Sequence, residues 1–480
     1  MVQGTASHVG KSVLVTALCK IFSDDGLNVA PFKSQNMSLN SWVTSDDKEI
    51  GIAQAIQAKA AGIEPTSDMN PILLKPKGDG ISQVIALGKP LEDRRAGEYY
   101  DSNDDLFKIA KDALKRLSED YGVIVIEGAG SPAEINLHDR DIANMRIATH
   151  VNAPVILVAD IERGGVFASL YGTIELLPEK ERDLIKAVVI NKFRGDLDIL
   201  KPGISQIEEL TGIPVIGVLP FTNLKIPSED SVSLEDKQSN DSKVEIAVIR
   251  LPRISNFTDF EPLEPYARVK YVNLNDIDGI ENSDAIIIPG TKNTVSDLAE
   301  LKRSGIAKKI IKKAGKVPIV GICGGYQMLG KEIIDRGIED GFMSLEGLNL
   351  LNIRTTFERY EKTTKQVTKK VTSGGPIFES IKNEEICGYE IHMGNTRPIS
   401  NRPVFEDDGC VDESGLIFGT YLHGLFENKN FREAFLRYLY DGKKIENIDM
   451  QRVGKRDSFY ELKNLVEVHL DMDKVYEMIK

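Results

Sequence analysis

Short apolar runs rich in β-branched residues alternate with longer segments of helical period along most of this chain. In the first half these runs are Val123–Ile126, Val155–Ala159, Ala187–Ile190 and Val215–Leu219. In the second half they are Val244–Ile249, Val269–Val272, Ala285–Ile288 and Val317–Ile322. Strands that are apolar on both faces and separated by helices are typical of parallel sheets covered by helices on each side. The alternation therefore predicts an α/β protein built from doubly wound sheets.

A polar segment at 227–243 interrupts this alternation. It consists mainly of Ser, Asp, Glu, Asn, Gln and Lys, which contribute little to a core, so it is interpreted as a solvated linker. We therefore predict two α/β domains, at 1–235 and 244–440, followed by a helical extension at 441–480. The Thr/Lys-rich stretch 355–375 is expected to form an exposed loop or an edge hairpin. A length of 480 residues accommodates two large domains of this class.

The balance of charged residues limits the kinds of molecule that this chain is expected to bind. The 60 Lys and Arg residues are outnumbered by 73 Asp and Glu residues, which gives a formal net charge of −13. A general nucleic-acid binder needs a basic face, so this balance argues against one. No apolar stretch approaches the ~18 residues of a membrane span, and the four cysteines form no C-x-x-C pair. We therefore expect a cytoplasmic protein that binds neither nucleic acid nor a membrane.

A glycine-rich turn near the start of the chain leads into a helix. It reads Gly4-Thr5-Ala6-Ser7-His8-Val9-Gly10-Lys11-Ser12. Free backbone N–H groups at such a helix start bind an anion, Lys11 can reach the outer phosphates, and the Ser12 hydroxyl can ligate Mg²⁺. Thr5 occupies the position of the first glycine in the common pattern, so this is a variant phosphate loop. The alternative is a tight turn with an incidental lysine.

This loop is similar to that of dethiobiotin synthetase and its relatives, which activate a carboxylate with ATP. Glu127 ends the run Val123–Ile126, where an acid completes the Mg²⁺ shell in that group, and Asn191 follows Ala187–Ile190, where its members read the adenine edge. The resemblance implies ATP and Mg²⁺ as cofactors. It also implies that Gly4, Thr5, Gly10, Lys11, Ser12 and Asn191 bind the nucleotide, with Ser12 and Glu127 as the metal ligands.

A cysteine follows the apolar run Val317–Ile322, in the sequence Gly321-Ile322-Cys323-Gly324-Gly325-Tyr326-Gln327. A nucleophile at a sharp strand-to-helix turn needs small neighbours, and the start of a helix favours the thiolate. The alternative is a buried structural cysteine beside a glycine turn. The pattern G-x-C-x-G-x-Q resembles the nucleophile elbow of class I glutamine amidotransferases. That resemblance implies a flavodoxin-like glutaminase domain with Cys323 as the nucleophile and Gln327 in the substrate pocket.

The same family needs a histidine base far downstream in sequence, and His423 suits that role. Acyl transfer also needs two fixed N–H donors for the oxyanion, which the resemblance assigns to Gly324 and Thr291. The family's glutamate two residues after the histidine is replaced here by Leu425, and Glu427 lies four residues after it. The third member of the triad therefore stays unassigned from sequence.

A glutaminase releases ammonia, and an ATP-dependent carboxylate activator makes the electrophile that ammonia attacks. One chain that holds both sites is therefore predicted to be an ATP-dependent amidotransferase using L-glutamine. Nearly the whole chain resembles the cobyric acid synthase family of adenosylcobalamin biosynthesis. The most specific stretches are Val2–Thr5, Pro31–Ser38, Ala159–Gly165 and Pro289–Thr294.

The resemblance to cobyric acid synthases implies a substrate and its contacts. The substrate would be a corrinoid polycarboxylate, adenosylcobyrinic acid a,c-diamide, amidated at its b, d, e and g carboxylates. Lys33 would hold the carboxylate or the transferred phosphoryl group, with Asp160 as a polar partner. Any cobalt would arrive inside the corrin ring, because no His/Cys cluster with ligand spacing is present. No obligate protein partner is expected.

Two other interpretations share parts of this pattern. The a,c-diamide synthase of the same pathway has the same chemistry and domain order, but the stretch Lys33–Ser38 favours cobyric acid synthase. A partitioning-type switch NTPase with a non-catalytic glutaminase-like domain shares the fold. Such proteins carry an extra lysine early in the loop, where this chain has Gly4-Thr5-Ala6. Retention of both Cys323 and His423 also argues against a non-catalytic domain.

Overall fold

Two parallel sheets, each belonging to its own domain, form the framework of the computed structural model. It describes residues 1–78, 80–95, 97, 103–222, 224, 242–400, 402–445 and 458–480. The predicted linker at 227–243 lies outside the described residues, apart from Ser242 and Lys243, and so does the predicted domain end at residue 235.

The first domain combines a central sheet with a smaller inserted sheet. Its strands are β1 (Val2–Gly4), β2 (Val29–Phe32), β3 (Gln35–Met37), β4 (Ser41–Val43), β5 (Glu49–Gly51), β6 (Ile72–Gly78), β7 (Ile81–Ala86), β8 (Lys89–Arg95), β9 (Val123–Ile126), β10 (Val155–Asp160), β11 (Ile185–Phe193) and β12 (Val215–Pro220). Its helices are α1 (Lys11–Asp24), α2 (Ile52–Ala60), α3 (Asn103–Asp120), α4 (Met145–Val151), α5 (Val166–Leu176), α6 (Glu179–Arg182) and α7 (Leu197–Thr211), with short 3₁₀ helices at Ser67–Met69 and His138–Arg140.

The central sheet of the first domain has the strand order β2-β9-β1-β10-β11-β12, and all neighbours run parallel. Alternate residues of one strand face opposite layers. Ile156 and Val158 of β10 pack with α1, whereas Val155 and Leu157 pack with α5. Because both faces are covered, the strands are apolar throughout, as the sequence predicted.

The inserted sheet was not predicted from the sequence. Its strand order is β3-β6-β7-β8, and the hairpin β4-β5 lies beside it. These strands are short, and β8 is mostly exposed, so they lack the continuous apolar runs that marked the central sheet. The insertion lies between β2 and α3 and contacts the second domain.

The second domain contains the remaining strands and most of the remaining helices. Its strands are β13 (Glu245–Arg250), β14 (Ile254–Ser255), β15 (Arg268–Asn273), β16 (Ala285–Ile288), β17 (Gly290–Thr291), β18 (Ile319–Ile322), β19 (Glu332–Arg336), β20 (Phe342–Glu346), β21 (Ile353–Phe357), β22 (Thr363–Lys370), β23 (Glu385–His392), β24 (Asn395–Pro398), β25 (Cys410–Val411), β26 (Ile417–Thr420) and β27 (Leu422–His423). Its helices are α8 (Thr294–Ser304), α9 (Ile306–Lys313), α10 (Gly324–Met328) and α11 (Lys429–Gly442), with 3₁₀ helices at Phe257–Leu263, Glu379–Ile381 and Leu425–Glu427.

The main sheet of the second domain has the order β15-β13-β16-β18-β26-β25. Its first five strands are parallel, and β25 is antiparallel at one edge. Numbered by their order along the chain, the parallel strands follow 2-1-3-4-5, which is the flavodoxin-like arrangement. This topology confirms the predicted fold class, two doubly wound α/β domains.

The Thr/Lys-rich stretch at 355–375 contains the end of β21 and the whole of β22, an edge strand paired with β23. It is less exposed than expected, because the side chains of Lys362 and Lys369 are 4% and 2% exposed. Both lysines are buried against carboxylates, Lys362 against Glu49 of the first domain and Lys369 against Glu390.

The C-terminal helices, α12 (Ser458–His469) and α13 (Met472–Glu477), return to the first domain. Leu462, Val466, Leu470 and Val475 are buried in the same core as α1, and Leu470 bridges to Gly217 of β12. The predicted helical extension is therefore part of the packing of the first domain. Within the described ranges, no helix is long and apolar enough to cross a membrane.

Candidate active site

The phosphate loop connects β1 to α1, and its two glycines allow close approach of the backbone. Gly10 has φ 102°, in the left-handed region. A Cβ at Gly10 would lie 2.0 Å from Nδ2 of Asn191, and one at Gly4 would lie 2.5 Å from Cγ2 of Val9. Larger side chains at either position would push the loop away from its neighbours, so the loop depends on glycine at both.

Lys11 is folded over this loop. Its Nζ donates to the carbonyl oxygens of Ala6, at 2.9 Å, and Gly130, at 3.0 Å. Asn191 of β11 supports the phosphate loop, since its Nδ2 donates to the Val9 carbonyl at 2.8 Å. Thr5 extends the pairing of β1 with β10, because its N–H donates to Val158 O at 3.0 Å. The two contacts of Lys11 hold its ammonium group beside the backbone of the phosphate loop.

Glu127 is the centre of a buried cluster beside the loop. Its Oε1 accepts from Lys33 Nζ at 2.8 Å and from Ser12 Oγ at 2.9 Å, and its Oε2 accepts from Gln57 Nε2 at 2.5 Å. The residue is 0% exposed. A carboxylate next to a hydroxyl is the oxygen donor set that Mg²⁺ takes together with phosphate oxygens, so Ser12 and Glu127 fit the metal predicted there.

The predicted nucleotide and substrate residues follow adjacent strands at the carboxyl edge of one sheet. Lys33 follows β2, Glu127 follows β9, Asp160 ends β10, and Asn191 lies at the end of β11. Ligands of open α/β sheets bind at this edge. The strand order places Lys33 and Asp160 on opposite sides of the loop, and Asp160 Oδ2 accepts from Lys192 Nζ at 2.8 Å. The structure thus brings Lys33 to the Glu127 carboxylate, while Asp160 is held by a different lysine.

Cys323 lies between β18 and α10 with φ 50° and ψ −108°, a conformation that residues with a Cβ rarely adopt. The turn is tightly enclosed, since a Cβ at Gly325 would lie 1.9 Å from the Ile288 carbonyl oxygen. The Cys323 N–H donates to Thr420 O at 2.8 Å, and its Sγ lies 3.4 Å from Ile391 O. The geometry is that of a nucleophile elbow, with the thiol directed into a pocket.

His423 on β27 is buried and is held by an acid that the sequence analysis left unassigned. Its Nδ1 lies 2.7 Å from Oδ2 of Asp259, and Oδ1 of the same carboxylate accepts from the Gly424 N–H at 3.0 Å. The Tyr389 ring stacks on the imidazole at 5.4 Å between centroids. Burial disfavours the imidazolium, but the Asp259 carboxylate and a hydrogen bond to Cys323 outweigh it and raise the pKa of His423 to about 10.

The pairing of Asp259 with His423 was not predicted from the sequence, because Asp259 precedes His423 by 164 residues and lies in a 3₁₀ helix. The one available signal is an acid between two aromatic residues, Phe257 and Phe260, both of which are 0% exposed. An acid in such a setting needs a polar partner. Local spacing gives no indication of which partner that is.

The two predicted oxyanion donors lie next to each other. A Cβ at Gly324 would lie 3.2 Å from the Thr291 backbone nitrogen and 2.8 Å from its Cγ2. Thr291 is fixed in turn, because its Oγ1 donates to Arg253 O at 3.1 Å and is also bonded to Asp297. Fixed N–H groups stabilise a tetrahedral oxyanion, so the close approach of Gly324 and Thr291 fits the role predicted for them.

Gln327 lies in the same pocket as Cys323 and His423. Its Oε1 accepts from Thr294 Oγ1 at 2.8 Å, and its Nε2 donates to Met393 O at 2.9 Å and Tyr421 OH at 3.0 Å. The pocket also contains a residue of the first domain, Lys75, and two lysines of the second, Lys292 and Lys362, none of which the sequence analysis identified. The glutaminase pocket is therefore completed across the domain interface.

Models of two known families match the chain. A CobQ/CobB/MinD/ParA nucleotide binding domain matches residues 1–233, and a CobB/CobQ-like glutamine amidotransferase domain matches residues 245–431. A solved structure of PurLQS from Thermotoga maritima covers 41% of this chain and 99% of its own, at a TM-score of 0.32 and 22% identity. That likeness is too low to carry an argument.

Curated relatives match over the full length. The chain is 62% identical to a protein of Methanococcoides burtonii, covering 100% of this chain and 96% of the relative. It is 61% identical to one of Methanosarcina barkeri and 60% identical to one of Methanosarcina mazei, in each case covering 100% of this chain and 98% of the relative. All three carry the name "Probable cobyric acid synthase".

These matches agree with the two sites described above. The nucleotide-binding domain contains the phosphate loop, and the amidotransferase domain contains the elbow of Cys323 with His423. Both the predicted fold class and the predicted resemblance are confirmed. The chain therefore belongs to the cobyric acid synthase family of glutamine-dependent amidotransferases.

Proposed function

We propose that this chain amidates the b, d, e and g carboxylates of adenosylcobyrinic acid a,c-diamide, using one ATP and one glutamine for each amide. The observation that carries the proposal is that a Cys323–His423–Asp259 triad and a phosphate loop with Glu127 occur in one chain. The first site supplies ammonia, and the second activates the carboxylate that ammonia attacks. The corrinoid brings its own cobalt as part of the substrate.

In the glutaminase half, Cys323 Sγ attacks the carboxamide carbon of glutamine. The N–H groups of Gly324 and Thr291 stabilise the oxyanion, and His423 gives a proton to the departing nitrogen. Asp259 holds the imidazole in the required tautomer and orientation, as the acid of a triad does. Water then hydrolyses the thioester and releases glutamate.

In the synthetase half, the loop of Gly4, Thr5, Gly10 and Lys11 holds the ATP phosphates, and Asn191 supports that loop. Transfer of the γ-phosphoryl group to a carboxylate oxygen replaces a poor leaving group by phosphate, which ammonia then displaces. Ser12 and Glu127 would hold Mg²⁺, which would neutralise phosphate charge when bound. We assign contacts with the corrinoid to Lys33 and Asp160 and contacts with glutamine to Gln327.

We place this reaction in the cytoplasm and assign it no nucleic acid, membrane or obligate protein partner. Two observations support the cytoplasmic location and the absence of a nucleic-acid partner. The net charge is −13, which disfavours polyanion binding. All four cysteines are free, as in a reducing compartment.

The direct test is mass spectrometry of adenosylcobyrinic acid a,c-diamide after incubation with the enzyme, ATP, Mg²⁺ and glutamine. We expect four successive mass decreases, each equal to the exchange of a carboxyl for a carboxamide. An unchanged diamide with glutamine still hydrolysed would require a different acceptor. Amidation of cobyrinic acid at a and c would instead identify the diamide synthase.

The Cys323→Ser and Lys11→Ala variants separate the two halves. Cys323→Ser removes the thiolate nucleophile, so glutamine-driven amidation should be lost while amidation from added ammonium chloride persists. Lys11→Ala removes a phosphate ligand and should abolish both. The measurement is amide formed from each nitrogen source. Glutamine-driven activity in Cys323→Ser would show that the elbow is not the glutaminase site.

A further inference from the structure

Glu339 is a carboxylate in the pocket of Cys323 that no step of the proposed mechanism uses. It follows β19 in the second domain and lines the same pocket as Cys323, His423 and Gln327. Of the described residues that line this pocket, Glu339 is the one that bears a carboxylate. The pocket also contains three lysines, Lys75, Lys292 and Lys362. A ligand with an ammonium group therefore finds one side-chain carboxylate here with which to pair.

The turn that carries Glu339 is fixed by a second carboxylate, that of Asp335 on β19. Asp335 is 2% exposed. Its Oδ1 accepts from the Ile338 N–H at 2.8 Å, and its Oδ2 accepts from the N–H groups of Glu339 at 3.1 Å and Asp340 at 2.8 Å. A carboxylate that accepts from three successive N–H groups holds the backbone of the turn in one conformation. Glu339 is therefore presented to the pocket by a fixed turn.

The carboxylate of Glu339 lies at the start of α8, next to Gln327. Its Oε2 accepts from the Thr294 N–H at 2.8 Å and from the Val295 N–H at 3.2 Å. Thr294 also donates from its Oγ1 to Gln327 Oε1 at 2.8 Å. A Cβ at Gly324 would lie 3.3 Å from the same Oγ1. Thr294 therefore connects Glu339 both to the elbow and to the residue assigned to glutamine.

The carboxylate of Glu339 has no cationic partner within the described ranges of the chain. Both of its hydrogen bonds come from backbone N–H groups and use Oε2, and it forms no ion pair with a described residue. Burial of the carboxyl group raises the pKa of Glu339 to about 7, and the two N–H groups and Lys292 offset this effect only in part. An ammonium group placed beside the carboxylate would stabilise its charged form.

The other polar side chains of the pocket do not provide a second anion for an ammonium group. Gln327 is neutral, and its Nε2 already donates to Met393 O and Tyr421 OH. His423 is hydrogen-bonded to the side chain of Cys323. The three lysines repel a positive charge. An ammonium group inside the pocket is therefore attracted to Glu339.

We propose that Glu339 binds the α-ammonium group of L-glutamine and thereby selects this substrate over amides that lack an amino group. This inference rests on the proposed function, in which Cys323 attacks glutamine, and it adds a contact to a part of the substrate that does not react. The ammonium nitrogen of glutamine is four bonds from the carboxamide carbon, and Glu339 is separated from the elbow by one side chain, that of Thr294. The lysines match the α-carboxylate in sign, so the pocket carries both charges that complement an amino acid.

The test compares L-glutamine with glutaramate, which is the same amide without the α-amino group. Glu339→Gln keeps the size of the side chain and an oxygen that accepts from Thr294, but it removes the charge. Glu346→Gln is the matched control, because Glu346 is an exposed residue at the end of β20. The values of kcat and KM are measured for each protein from the ammonia released from each amide. If glutaramate is hydrolysed too slowly, its inhibition constant against glutamine hydrolysis replaces its KM.

We expect wild-type kcat/KM to be about 10²-fold higher for glutamine than for glutaramate, because a hydrogen bond between charged groups contributes a factor of this size. In Glu339→Gln the KM for glutamine should rise about 10²-fold with little change in kcat, since the contact is remote from the reacting carbon. The value of kcat/KM for glutaramate should stay within about threefold of the wild-type value. Glu346→Gln should match the wild type with both amides.

An equal loss of activity on both amides in Glu339→Gln would overturn the proposal, because it would show that Glu339 only maintains the shape of the pocket. An unchanged KM for glutamine in that variant would overturn it as well, and so would a wild-type protein that does not distinguish the two amides. A wild-type protein that hydrolyses no glutamine would instead contradict the proposed function, and the role of Glu339 with it. The wild-type measurement with glutamine therefore separates the two failures.

Discussion

Cys323 keeps its reactive position in a strained backbone conformation. Its φ of 50° with ψ −108° belongs to a sparsely populated region, which costs roughly 1–3 kcal/mol for a residue with a Cβ. The strain persists because the Cys323 N–H is bonded to Thr420 O and because Gly324 and Gly325 pack closely against Thr291 and Ile288. Cys323 shares its pocket with His423, which is hydrogen-bonded to Asp259.

The Asp259→Asn variant should lower the rate of glutamine hydrolysis by roughly 10²–10⁴-fold, following the pattern of other triads that lose their acid. The amide preserves size but not charge, so the His423 pKa should fall from about 10. The measurements are glutamate formation and an NMR titration of the His423 ring. Amidation from ammonium chloride serves as the control and should be unchanged. An unaltered His423 titration would show that Asp259 does not set its protonation.

The raised pKa of His423 also has a consequence for stability. A group with a raised folded-state pKa stabilises the fold fully below its unfolded value, about 6.5, and this contribution is lost as pH rises through the folded value. The Asp259–His423 pair should therefore lose its stabilising effect as pH approaches about 10. The difference in melting temperature between wild type and Asp259→Asn should shrink across that range.

At the scale of the element, the C-terminal helix α12 shows how a distant segment completes a core. Leu462 and Val466 are 0% exposed and Leu470 is 6% exposed, a spacing of four residues that places all three on one side. That side packs on α1, the helix that begins at the phosphate loop. The ATP site is thus supported by residues from the end of the chain.

A pair of matched substitutions on α12 tests this packing. Val466→Ala removes buried methyl groups and should reduce the free energy of unfolding of the first domain by roughly 2 kcal/mol. Val468→Ala is the control, because Val468 is 78% exposed and its truncation should change that free energy by less than about 0.5 kcal/mol. Urea denaturation measures both. Equal effects would indicate that α12 is not docked in solution.

At the scale of the whole molecule, the two domains are joined by buried polar contacts close to the glutaminase pocket. Glu49 of the first domain binds Lys75 of its own domain and Lys362 of the second. Tyr389 OH donates to Ser41 O at 3.1 Å, and Gln366 Nε2 donates to Val43 O at 2.7 Å. Because Lys75 and Lys362 both line the pocket of Cys323, docking of the domains and completion of that pocket occur together.

The Glu49→Gln variant should weaken this docking strongly. It leaves Lys75 and Lys362 buried without their carboxylate, and removing one partner of a buried ion pair costs about 3–5 kcal/mol. We expect the second domain to separate from the first at lower urea concentration, measured by hydrogen exchange of β4 and β22. Glu92→Gln is the control, since Glu92 forms an exposed pair with Arg94 and such pairs contribute about 0–1 kcal/mol. Equal exchange in both variants would contradict the role of Glu49.

The sequence by itself determined the features that depend on neighbouring residues. The phosphate loop, the elbow of Cys323 and the two sets of parallel strands were predicted because glycine conformation, helix starts and continuous apolar runs are local signals. The sheet order then confirmed that Lys33, Glu127 and Asn191 share one edge. The predicted base, His423, forms a hydrogen bond with the side chain of the elbow cysteine, Cys323.

Only the tertiary structure decided which distant groups meet. Asp259 reaches His423 across 164 residues, α12 reaches the core of the first domain, and Lys75 enters the pocket of the other domain. The inserted strands β3–β8 also escaped prediction. These contacts are stabilised by burial and by pairing of polar groups, whose partners are fixed by the packing of whole sheets and helices and leave no periodic signal in the chain.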